Sequence, residues 1–234
     1  KKKRVPIVFE DDAVIVCEKP AGMPVQSDHT RDMDVLTILK HHIFEEQNSE
    51  EEPYLAVVHR LDRPVGGLMV LAKTKEAAAN LSEQIQNFEF EKNYQAVVCG
   101  NLREDFGTFE DYLLKNGKTN KTEVVKAGTP GARKAELDYE LIDCIETKEG
   151  VLTWILVILH TGRHHQIRVQ MAHAGMPLAG DRKYGAGTNV TIGAGSLALC
   201  AASLTFFHPV TGKVMKFVTK PEGAEFKGIS IPQM

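Results

Sequence analysis

Short apolar runs rich in Val, Ile and Leu recur along the chain and predict strands over 7–9, 13–17, 56–58, 68–72, 94–98, 135–142, 152–159, 196–207 and 214–218. Helical spacing appears in three places. DVLTILKHHI starts at Asp34, a residue suited to an N-cap, and sets Val35, Ile38, Leu39 and Ile43 along one face. KEAAANLSEQIQNF aligns Ala78, Leu81, Ile85 and Phe88 in the same way. HHQIRVQMAHAG runs from His164 to Gly175, and glycine is a fitting stop. Strands in hairpin order with three separated helices predict an α+β fold, a mixed and largely antiparallel sheet with flanking helices. No repeat or long linker breaks the pattern, so residues 1–234 read as one domain with room for two sub-domains.

Composition adds bounds. The chain has 234 residues, 43% hydrophobic and 25% charged, which is ordinary for a globular protein with a sizeable core. No apolar run approaches the roughly 20 residues of a membrane span, and KKKRVPIVFEDD lacks the apolar stretch of a signal peptide. A cytoplasmic location without membrane association is expected. Lys1 rather than Met leads the chain, which suggests an excised piece. Cys17, Cys99, Cys144 and Cys200 lie far apart among apolar neighbours without metal-ligand spacing, and are expected to be reduced core residues. A net charge of -3 argues against indiscriminate polyanion binding, so any RNA must be met by a local basic surface.

VVHRLDRPVGGLMVLAK, residues 57–73, sets one carboxylate, Asp62, between Arg60 and Arg63 where two apolar runs meet a proline and two glycines. A carboxylate leaving the water there needs a cationic neighbour to stay ionised. Strand alternation makes Arg60 its expected same-face companion. A surface turn with a local ion pair is the alternative. LHTGRHHQIRVQMAHAGMPLAGDRKYG, residues 159–185, is a second basic constellation. A strand runs into Thr161 and Gly162, and a helix is expected to open with Arg163, His164 and His165 and to carry Arg168, an arrangement suited to anions. His160, His164, His165 and His173 invite a metal, but no HExxH spacing is present and none is expected. FEFEKNYQAVVCG places Lys92 and Tyr94 at the start of a strand, where a core aromatic is the ordinary reading.

Together these motifs resemble the RluA-type pseudouridine synthases. CEKPAGMPV is similar to that family's first strand-loop, and HRLDRPVGGLMVLAK to its catalytic motif, usually written HRLDxxTSGLLLLAK. EKNYQAVVCG matches its tyrosine strand, and the third stretch its TGRxHQIR and GDxxYG motifs. The resemblance implies a pseudouridine synthase catalytic domain with a central cleft, without the S4 RNA-binding domain many relatives carry. Its implied substrate is structured rRNA or tRNA, and a monomer is favoured. It implies that Asp62 is the essential aspartate, that Arg60 fills the space of a flipped-out uridine, and that Tyr94 stacks on the base. Arg168 would pair with Asp62 and keep it ionised. Lys19, Arg163, His165 and Gln166 would line or brace the RNA cleft, with Leu61 and Ile167 as apolar walls.

The implied chemistry breaks the N1–C1′ bond of uridine, turns the base and rejoins it through C5. Atoms are only rearranged, so no cofactor or metal is required. The carboxylate serves either as a nucleophile at C1′ or as a base at C2′, and both routes stay open. A base in a stem must be flipped out, at a cost of a few kcal/mol. Val65 and Gly66 replace the family's usual Thr-Ser, and the loss of two hydroxyls predicts a freer loop.

KNGKTNKTEVVKAGTPGARK, residues 115–134, carries six basic residues against one acidic and reads as an exposed loop or a β-hairpin tip. In the functional reading this arm, with Lys118, Lys121 and Lys126, grips the RNA backbone. Two other functions remain open: an RNA-binding module without catalysis, and a glycosidic-bond hydrolase with Asp181 as its second acid.

Overall fold

The computed structural model describes residues 4–27, 30, 32–47, 51–185, 196–223 and 226. In chain order the elements are β1 (Ile7–Glu10), β2 (Val14–Lys19), α1 (Val35–Gln47), β3 (Ala56–Val57), β4 (Gly66–Ala72), α2 (Lys75–Gln86) and β5 (Glu91–Cys99). β6 (Phe106–Asn116), β7 (Lys121–Val125), β8 (Arg133–Thr147), β9 (Gly150–Leu159), α3 (Gln166–His173), β10 (Leu199–Phe207) and β11 (Val214–Val218) follow. The chain divides into two compact units. One holds Lys1–Lys92 and Ala201–Lys220, the other Asn93–Cys200 and Pro221–Met234.

In the first unit β1, β2, β4 and β10 are successive neighbours in a sheet, with β3 on β4 and β11 on β10. Val14 to Cys17 of β2 are all buried, so this strand reads as a continuous apolar run rather than an alternation. Val14, Val16, Leu68, Val70, Leu204 and Phe206 form the core together with Leu81 of α2. Each such side chain contributes about 1.5–3 kcal/mol on burial. Helix α2 starts where Thr74 accepts the Ala77 N–H at 3.1 Å. It is laced to β10 by Gln84, whose amide accepts the Phe207 N–H and donates to the Phe207 carbonyl, at 2.8 and 2.7 Å. Asp34 caps α1 by accepting the Thr37 N–H at 2.9 Å. Gly67 has φ +115, and a Cβ there would lie 2.3 Å from the Ala201 carbonyl oxygen, so no other residue fits.

The second unit is an antiparallel sheet in the order β5, β9, β8, β6, β7, joined by α3. Trp154, Val97 and Leu152 centre one core cluster, and Leu113, Ala135 and Val169 a smaller one. Strands β6 and β7 are not among the runs expected from sequence. FGTFEDYLLKN alternates exposed and half-buried positions, and Glu110 and Asp111 interrupt the apolar signal. The basic stretch 115–134 is accordingly a hairpin, with Asn116 opposite Lys121, and its far end enters β8. Cys17, Cys99 and Cys200 are buried, and burial pushes the Cys17 thiol up to about 12. Cys144 is exposed on β8, contrary to the expectation of a core residue; it lies on the same alternating face as exposed Glu140 and Glu146, between half-buried Asp143 and Ile145. Among the described residues no helix is long and apolar enough to cross a membrane.

Candidate active site

In the first unit β3 ends at Val57, and residues 58–65 turn back into β4. Arg60, Leu61 and Asp62 therefore lie outside any strand, and the expected alternation of faces does not apply. Arg60 is exposed, Asp62 and Arg63 are half-buried, and Leu61 and Val65 are buried. The turn closes where the Val65 N–H donates to the Asp62 carbonyl at 3.0 Å. The next carbonyl, of Arg63, accepts from the Gly22 N–H at 2.8 Å and from Lys19 Nζ at 3.0 Å. Lys19 is only 2% exposed, and its other protons go to the Met23 and Pro20 carbonyls at 2.7 and 3.2 Å. Burial pulls Lys19 down to about 7, against the opposing pull of the Asp62 charge. Backbone bonds thus tie the Asp62 turn without the two hydroxyls that Val65 and Gly66 lack. The Arg63 guanidinium is turned to Asp32, Thr30 and the Gly22 carbonyl.

His59 adds a second tie. Its Nε2 accepts the Val70 N–H at 3.1 Å, so the ring proton sits on Nδ1, which has no partner among the described residues. Burial first, then the Lys92 charge, pull this imidazole from 6.5 to about 3. In that window the unfolded chain binds a proton that the folded chain refuses, so stability rises with pH across it and falls on acidification. Thermal unfolding followed from pH 7 down to pH 3 should show this loss. His59→Gln should reduce the slope by up to about 1.4 kcal/mol per pH unit, and an unaltered slope would contradict the assignment.

In the second unit Tyr94 is buried on β5 opposite Val157. Helix α3 begins at Gln166, two residues later than expected, because His165 adopts a left-handed conformation (φ 54, ψ 25) at the cap. Such a conformation costs a non-glycine residue about 1–2 kcal/mol. Gln166 supplies what a capping side chain would. Its amide oxygen accepts from Thr161 Oγ1 and the Arg163 N–H at 2.8 and 2.9 Å, and its NH2 donates to the Glu136 carbonyl at 3.0 Å. Arg163 is half-buried and its Nε donates to the Lys134 carbonyl at 2.8 Å. His165 Nδ1 bonds Tyr184 Oη at 2.7 Å, and burial, then the charges of Arg168 and Lys183, pull it down to about 3. Gln166 and a neutral His165 are thus braces of this corner. Lys118 and Lys121 are exposed at the hairpin tip.

Arg168 is buried and grips Asp181 with two parallel bonds, Nε to Oδ2 at 2.7 Å and a terminal nitrogen to Oδ1 at 2.8 Å. The Lys183 and Tyr184 N–H groups also donate to Oδ1. Burial alone would raise the Asp181 carboxyl, but these four donors outweigh it and hold it below the usual range. A carboxylate so engaged is a poor general acid. Asp181 is not among the partners that the sequence predicts for Arg168. Among the described residues one trio has metal-like spacing, Glu10, His42 and Glu46, but Lys73 Nζ already lies 2.6 Å from Glu10.

The chain's likeness to known proteins makes it an RNA-modifying isomerase. Residues 13–173 match the family model described as RNA pseudouridylate synthase, and the chain belongs to that family. It is 32% identical over 232 residues to an uncharacterized RNA pseudouridine synthase of Aquifex aeolicus, covering 95% of this chain and 72% of that one. It is 32% identical to ribosomal large subunit pseudouridine synthase C of Salmonella typhimurium and of Escherichia coli K12, covering 93% and 90% of this chain. In those two it spans 67% and 64% of the relative's length. The solved structure of human RNA pseudouridylate synthase domain containing 1 shares the fold, with a TM-score of 0.73 at 20% identity, covering 93% of this chain and 84% of that one.

Proposed function

We propose that this chain isomerises uridine to pseudouridine in structured RNA, with Asp62 as the group that attacks or deprotonates the ribose. Ribosomal RNA is the favoured substrate, because the Salmonella and Escherichia relatives are named for the large ribosomal subunit. Transfer RNA is the second. The observation that carries the reading is a half-buried carboxylate on a turn whose backbone is pinned by a buried lysine, in a chain of this family. A pinned turn presents its carboxylate in one geometry, which is what a positioned nucleophile or base requires. Tyr94 would receive the detached base, and Arg168 would supply a fixed positive charge. Arg60 is exposed and makes no hydrogen bond or ion pair among the described residues, so it can enter the RNA stack when the uridine leaves. Neither a metal nor a cofactor is needed for this rearrangement. A cytoplasmic monomer would suffice.

The hydrolase alternative is disfavoured by the engagement of Asp181, the candidate second acid that the matched motifs offer. Affinity for RNA would come from the β6–β7 hairpin, which offsets a net-acidic body. Neutralising Lys118, Lys121 and Lys126 should lower the slope of log affinity against log salt by about 2–3. An unchanged slope would dismiss the hairpin as the grip. Pseudouridines mapped in ribosomal and transfer RNA from cells with and without the gene identify the target. Identical maps would refute the proposed function.

A further inference from the structure

One short loop touches both the hairpin and the buried arginine. Asp181 to Gly185 forms a closed turn, with the Gly185 N–H on the Asp181 carbonyl at 2.8 Å. At one end Asp181 holds Arg168, and the Tyr184 ring lies 5.1 Å from the Arg168 guanidinium, within cation–π range. At the other end Lys183 Nζ donates to the Asn120 carbonyl at 2.8 Å, and the Tyr184 hydroxyl accepts the Thr122 N–H at 3.0 Å. Asn120 and Thr122 belong to the hairpin's turn and to β7. The same Tyr184 hydroxyl bonds His165, whose ring stacks on His164 at 3.7 Å, and His164 Nδ1 returns to Thr122 Oγ1 at 2.7 Å. These contacts form a closed circuit, so the hairpin cannot shift without moving the groups that orient Arg168.

We propose that the Asp181–Gly185 loop is a strut that transmits the seating of the β6–β7 hairpin on RNA to Arg168, with Tyr184 as its positioning residue. The proposal rests on the roles given above to Arg168 and to the hairpin. His164, which no part of the reaction uses, acquires a function as the second anchor of Thr122.

The test compares the single-turnover rate at saturating RNA with RNA affinity in the full chain. Tyr184→Phe keeps the ring against Arg168 and removes both hydroxyl bonds. It should slow the saturated rate about tenfold and change affinity little, since sub-ångström misplacement of a reacting group is costly. Thr122→Val, which leaves the Thr122 N–H in place, should act in the same direction, and His164→Asn should restore what His164→Ala loses. Lys118→Ala/Lys121→Ala should slow the saturated rate in the parent but no longer in Tyr184→Phe, because the strut is already cut. Additive effects, or a Tyr184→Phe enzyme that melts earlier yet turns over like the parent, would overturn the strut. Arg168→Ala separates the two levels. If it is inactive while Tyr184→Phe is normal, only the strut falls; if Arg168→Ala turns over normally, the role of Arg168 falls first.

Discussion

Asp62→Asn is expected to lower single-turnover pseudouridine formation by at least about 10⁴-fold, the scale on which loss of a covalent or basic catalytic group is felt. The substitution is nearly isosteric and removes the charge alone. The ties that shape the turn are made by backbone carbonyls, to Lys19, to Gly22 and within the turn to Val65. The variant should therefore fold, melt near the parent's temperature and still bind RNA. Activity lost together with folding would leave the pinned-turn account without support. Activity retained would remove Asp62 from the chemistry.

The second large effect concerns Arg168. Replacing it by leucine leaves the Asp181 carboxylate, whose side chain is 0% exposed, without its guanidinium. Breaking one partner of a buried ion pair costs about 3–5 kcal/mol. In a chain of this size each kcal/mol moves the melting temperature by about 2–4 °C, so a drop of about 10 °C is expected. Arg168→Leu/Asp181→Leu removes both charges and should recover most of that stability while activity stays lost. The pair also sets an acid limit. Asp181 titrates lower in the folded chain than in the unfolded one, so its contribution is present above the ordinary carboxylate range and disappears as pH falls through the folded value. A single variant that melts like the parent would show that other groups compensate the Asp181 charge.

The core strands were legible in the sequence because their apolar runs are short, dense and bounded by turns. β2, β4, β9 and β10 all fall where such runs predict them. The hairpin was only half legible. β6 buries one face shallowly and carries Glu110 and Asp111, so period-two alternation replaces the apolar signal, and only the cluster of lysines marked the region. The start of α3 was misplaced because nothing local announces a left-handed histidine; the cap is furnished by Gln166, from inside the helix. Arg60 and Asp62 do not alternate faces as strand residues would, because the chain leaves β3 at Val57. Asp181 shows the limit of spacing arguments. Its partner Arg168 is 13 residues away in a different element, and a buried bidentate pair has no signature shorter than the fold that assembles it. The candidate chemistry was readable as a set of motifs in order, with Lys19 among the residues expected to line or brace the cleft, whereas the bracing by His59 and Tyr184 was not.

The most direct measurement is a product balance on RNA carrying 5-tritiated uridine. Isomerisation predicts one tritium released to water for each pseudouridine formed and no free uracil, in a reaction that needs no added metal or cofactor. Free uracil in step with tritium-retaining base loss, or RNA bound and returned unchanged, would contradict it.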